Sequence, residues 1–184
     1  MLLGSAVLAP DIAYSDEPLQ AHAPFSDDST AAFSIANDNV FTIELELQRR
    51  FAGAQRELAN VAMYLAPDFR ARITKQLRVL LSAENWEEGD EHLNLASARS
   101  FARAMAVLRP NQRPLLGLSN AGNLLAMWKE EGAQAVFEHL PGDIVKWSIS
   151  SGTGASEDRA SGRAPIERVA GILRGHSLES LLNG

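Results

Sequence analysis

Few residues in this chain have the types and spacing that chemistry needs. His139 stands beside Glu138 and close to Asp143, across a Pro141-Gly142 pair. A general acid–base pair requires an imidazole and a carboxylate within hydrogen-bond reach. In a strand Glu138 would face away from His139, whereas Asp143 could meet it across the turn. The ordinary polarity of a surface hairpin accounts for the same residues. His22, His92, His139 and His176 are dispersed, with none three or four positions from another, so no metal-ligand spacing emerges. The run Ser151-Gly152-Thr153-Gly154-Ala155-Ser156 has the glycines of a phosphate loop. Glu157 and Asp158 follow it, where a helix and a lysine belong, so a flexible linker is expected there. The chain has no cysteine, which excludes disulfides and thiolate sites. No catalytic residue, metal or cofactor is assigned.

Charge is more informative. The 184 residues carry a net charge of −6. Residues 1–38 hold Asp11, Asp16, Glu17, Asp27, Asp28 and Asp38 and no basic residue, so the remainder is balanced. Within that remainder the signs separate. Residues 49–80 carry Arg49, Arg50, Arg56, Arg70, Arg72, Lys75 and Arg78 against Glu57 and Asp68. Residues 93–113 add Arg99, Arg103, Arg109 and Arg113 with no acid, and Glu84, Glu87, Glu88, Asp90 and Glu91 lie between. Arginine-rich helices bind nucleic-acid phosphates with steep salt dependence. They equally bind acidic proteins, or are neutralised by the acidic loop or tail. An acidic chain without a reading motif favours neutralisation or protein contact over nucleic acid. Trp128 and Trp147 alternate with neighbours of the opposite face and read as core. Trp86, in a polar loop, is the tryptophan best placed to anchor a partner.

These residues need elements to position them. Residues 1–38, rich in Ala, Ser, Asp and Pro without sustained period, read as an acidic disordered tail. An α+β domain is expected over 39–150. Ile43, Leu47, Phe51, Ala54, Leu58, Val61 and Leu65 make one helical stripe, although Phe41, Ile43, Leu45 and Leu47 also alternate as a strand would. Pro67 opens a second helix, where its missing N–H costs nothing, with Phe69, Ile73, Leu77, Leu80 and Leu81 buried. A third helix spans about Leu95 to Leu108. From Leu115 the period changes to two, and turns at Asn120–Asn123, Glu130–Gly132 and Pro141-Gly142 divide four strands. The expected fold class is therefore helices followed by a four-stranded antiparallel β-meander, then a C-terminal helix. Residues 151–164 read as a Gly/Ser linker and 165–184 as that helix with an apolar tail of Leu178, Leu181 and Leu182. A weak apolar start without Lys or Arg is a poor signal peptide. No apolar run approaches the length of a membrane span, so no membrane is expected and the cytoplasm is the default location.

The stretch from about Ile73 to Ile149 resembles a loose group of small uncharacterised bacterial α+β proteins. The resemblance rests on the Trp-acidic loop Asn85-Trp86-Glu87-Glu88-Gly89, the helix and proline after it, and the step Gly122-Asn123-Leu124-Leu125-Ala126-Met127-Trp128. It covers under half the chain, and Trp-Glu-Glu-Gly stands where Trp-Asp-Gly is expected. It implies no activity, only an association with partners in two-gene systems such as toxin–antitoxin pairs. The expected function is a non-enzymatic protein-interaction module, the antitoxin or accessory member of such a pair, with Arg70, Arg72, Lys75, Arg78, Trp86, Arg99 and Arg103 as contact residues. A protein partner or a second copy of the chain is expected. A nucleic-acid binder using the basic helices is the alternative, and an enzyme with an unrecognised pocket is a third.

Overall fold

The computed structural model describes residues 29–87, 89–152 and 158–183. Helix α1 runs Ser29–Asn60. It takes in residues 29–38, which the sequence reading places in the tail, and it settles residues 41–47 as helix. Pro24 is the last proline before Pro67, so nothing between them forbids the helical ladder from extending backwards. Residues 1–28, with the rest of the expected tail, lie outside the described residues. Ahead of Pro67 the chain leaves helical geometry, and Ala66 sits at ψ 138, as a residue before proline must. Helices α2, Pro67–Leu80, and α3, Leu95–Leu108, follow. Asn94 caps α3, its side chain accepting from the Ala96 N–H.

The sheet has five strands, not four. They are β1 Leu115–Leu118, β2 Leu124–Glu130, β3 Ala133–Leu140, β4 Ile144–Ser151 and β5 Asp158–Pro165, paired antiparallel in that order. Strand β5 falls in the segment expected to be linker. Its Ala, Ser and Gly lack the bulk by which strands are recognised, but position decides. Trp147 of β4 stands in register with Gly162. A Cβ at Gly162 would come within 2.9 Å of the indole, so β5 must be small where it meets the tryptophan. Elsewhere too the inner face matches large against small: Trp128 pairs with Ala135, and Phe137 with Ala126. Helices α4, Ile166–Gly175, and α5, Ser180–Asn183, close the chain. The apolar tail docks on the domain itself, with Leu178, Leu181 and Leu182 buried and the Leu182 carbonyl accepting from the N–H groups of Asn111 and Gln112.

All the helices join one core against the inner face of the sheet. Trp128 is 2% exposed and its indole N–H donates to the Gln112 carbonyl at 3.0 Å, so the largest apolar side chain is buried with its polar atom satisfied. Gly122, at φ +68, lets the β1–β2 turn press on the His92 backbone, where any side chain would collide with the carbonyl; the Gly122 carbonyl in turn accepts from Asn94 N–H at 2.8 Å. That contact fixes the acidic loop against the sheet. Among the described residues no helix is long and apolar enough to cross a membrane.

Candidate functional site

The residues singled out by chemistry separate in space. His139 does not belong to a surface hairpin: it is fully buried on the inner face of β3, edge-on to Phe101 of α3 at 5.2 Å. Burial holds its imidazole down to about 3, so it is neutral, because an unpaired charge there would have no water. Neither ring nitrogen has a hydrogen-bond partner. Glu138 points to the other face, where Asn123 Nδ2 donates to it at 3.1 Å and Lys146 Nζ at 3.3 Å. Burial works to raise the Glu138 carboxyl, and hydrogen bonds from Asn123, Ser119 and Lys146 outweigh it, so the net shift is downward. Asp143 is bonded to Arg103. No acid–base pair forms among these three. Among the described residues no three His, Asp or Glu side chains gather as a metal would need; His22 and residues 153–157 of the glycine-rich loop lie outside them.

The basic residues divide just as sharply. On α3, Arg99 Nη2 donates to Glu57 of α1 at 3.1 Å, and that hydrogen bond raises the guanidinium further. Arg103 reaches Asp143 in the turn between β3 and β4. Arg78 of α2 lies over the Phe51 ring, 5.4 Å from its centroid, a cation–π contact that ties α2 to α1. The acidic loop takes no part in this. Among the described residues its carboxylates form no ion pair with a helix arginine, and Asp90 accepts instead from the Glu87 N–H at 2.9 Å.

Arg72 and Lys75 are left on a different surface. Arg72, Lys75, Gln76 and Val79 recur at the spacing that makes a single stripe along α2, flanking the buried face of Phe69, Ile73 and Leu77. That stripe borders the outer edge of β1. Gln76 bridges the two: its Nε2 donates to the Pro114 carbonyl at 3.0 Å and its Oε1 accepts from the Leu116 N–H at 3.2 Å. The side-chain amide takes the place of a neighbouring strand and closes part of an otherwise open sheet edge. Above this bridge lies an open trough of about 570 Å³, lined by Arg72, Lys75, Val79, Leu80, Arg113 and Leu116 among others. Among the described residues Arg72, Lys75 and Arg113 have no ion-pair partner. Leu80 and Asn85 are shared with a smaller hollow of about 270 Å³ that holds Trp86, Asp90 and Glu91. The surface thus changes sign along its length, from three cations to two carboxylates.

Trp86 stands at the acidic end, half-buried and stacked on His92 with ring centroids 4.5 Å apart. Arg70 is half-buried on α2 and lines neither hollow. The structure therefore brings Arg72 and Lys75 together, sets Trp86 in the adjoining hollow, and gives Arg78, Arg99 and Arg103 to contacts within the chain. Arg113 and Gln76 were missed as site residues. The stripe that includes Gln76 was legible in the α2 sequence, but its join to Pro114 spans 38 positions, and no local spacing signals that. No protein-family model, curated protein or solved structure gives a significant match to the chain.

Proposed function

We propose that the protein is a non-enzymatic protein-interaction module whose contact surface is the trough between α2 and β1. The observation that supports this most is the juxtaposition of Arg72, Lys75 and Arg113, without ion-pair partners among the described residues, with the apolar side chains of Val79, Leu80 and Leu116. Apolar area with a basic rim suits an acidic, partly apolar protein segment, and Arg is a favoured anchor at such sites. The resemblance noted in the sequence makes the product of an adjacent gene the first partner to try, with this chain as antitoxin or accessory protein, and the absence of cysteine suits the reducing cytoplasm. The test is affinity capture from the native host with the wild-type chain and with the triple variant R72E/K75E/R113E, followed by reconstitution of each captured protein in purified form. A partner that binds the wild type and loses at least tenfold affinity for the variant supports the proposal. Equal binding by both, or no purified partner, sinks it.

The same cations favour a second reading, in which the trough meets nucleic-acid phosphates. Three phosphate contacts on duplex DNA would give a slope of about −2.7 in log affinity against log salt. A flat salt titration, or no binding at low salt, removes this reading.

A further inference from the structure

The trough and the chain's own acidic segment are complementary in both charge and apolar content. Residues 11–17 read Asp-Ile-Ala-Tyr-Ser-Asp-Glu: carboxylates at either end and two large apolar side chains, Ile12 and Tyr14, between them. The basic end of the trough sets Arg72, Lys75 and Arg113 around Val79, Leu80 and Leu116. We infer that residues 11–17 bind in this trough within the same molecule, so that an external partner must displace them. The inference rests on the reading of the trough as a protein-binding surface and adds its regulation.

Chain length decides which acids can take part. The described helix begins at Ser29, and from there to Phe51 it rises about 33 Å. Phe51 lies under Arg78, one helical turn from Lys75. An extended chain covers roughly 3.4 Å per residue, so Glu17 reaches about 40 Å from Ser29 and Asp11 about 60 Å. Both exceed the rise to Phe51, and Asp11 does so with about 25 Å to spare for crossing to the trough. Asp27 and Asp28 lie within about 7 Å of Ser29 by the same measure and cannot arrive. Asp90 and Glu91 at the far end of the surface repel an acidic segment and confine it to the cationic half.

The lack of native cysteine makes the test clean. A nitroxide attached to Ala9→Cys in the full chain should broaden the amide resonances of residues 72–80 and 113–118, which lose most of their intensity. The broadening should vanish at about 1 M salt, where the Debye length is about 3 Å. It should vanish in D11N/D16N/E17Q and in R72E/K75E/R113E, and persist in D27N/D28N. Unchanged dispersion of the sheet amides checks that each variant is folded. No broadening at low salt, broadening that survives either triple variant, or broadening seen only between labelled and unlabelled molecules overturns the inference. Partner capture is independent of this measurement. Lost capture with persistent broadening counts against the proposed function alone, and trough-dependent capture without broadening counts against the inference alone.

Discussion

Helices α2 and α3 are each 14 residues long, and both carry arginines that face solvent. Their environments differ. Helix α3 is packed between α1, α4 and the sheet, and only its stripe of Ala96, Arg99, Arg103 and Val107 is exposed. Arg99 and Arg103 find carboxylates on α1 and in a strand turn. Ser97, buried, donates to the His139 carbonyl at 2.5 Å and accepts from the Leu124 N–H at 2.7 Å, stitching the helix to two strands. Helix α2 lies at the margin of the fold, along the sheet edge. Only its Phe69, Ile73 and Leu77 are buried, and its outer stripe borders a trough. The same residue types therefore secure architecture on α3, while on α2 only Arg78 does so and Arg72 and Lys75 have no ion-pair partner among the described residues.

Substitutions on the two helices should accordingly move different observables. The largest effect is expected for Phe101→Ala, which opens a cavity under α3. A loss of about 3–5 kcal/mol should appear as a lowered midpoint in denaturant unfolding with an unchanged slope. A loss under ~1 kcal/mol would mean that α3 is not tightly packed at Phe101.

Acid should reveal the same interior next. His139 binds a proton near the normal imidazole value of about 6.5 when unfolded but is held down to about 3 when folded. The unfolded state then binds more protons below pH ~6.5, so stability is full above that value and falls as pH drops towards 3. The slope should approach about 1.4 kcal/mol per pH unit. Denaturant titrations between pH 7 and about 4.5 check it, a window above the range where Glu46 and Glu138, both lowered, add losses of the same sign. In His139→Phe this decline should flatten; an equally steep profile would assign the acid sensitivity elsewhere.

Breaking the Arg103–Asp143 pair is worth less. Arg103→Ala should cost about 0.2–1 kcal/mol, since the Arg103 side chain is more than half exposed, and added salt should shrink the difference. The smallest stability effect belongs to α2. Arg72→Glu with Lys75→Glu should shift the unfolding free energy by no more than about 0.5 kcal/mol while weakening partner binding at least tenfold. A stability loss above ~2 kcal/mol would place these residues among the structural arginines and erase the contrast.

Much of this architecture was legible in order. The proline at 67, the stripe of Phe69, Ile73 and Leu77, and the change of period at Leu115 are local signals, and local geometry answers to them. Strand β5 was not legible, because Arg159-Ala160-Ser161-Gly162-Arg163-Ala164 has the composition of a linker. It becomes a strand only because β4 offers eight register partners and Trp147 needs a small residue opposite. His139 looked like surface polarity for a related reason: alternation says that neighbours face opposite ways, not which way is inward. The candidate site was half legible. Arg72 and Lys75 stand out as charge on one helix face, but the local sequence cannot say that Arg99 has Glu57 across from it or that Arg113 completes the trough.

The sequence by itself determined helices α2, α3 and α4, four of the five strands and the separation of charge along the chain, because backbone propensity and hydrophobic period act over a few residues. Tertiary structure decided the fifth strand, the burial of His139 and which cations have no ion-pair partner among the described residues. Those depend on groups tens of positions apart meeting in space, and on the shielding from water that only their packing creates.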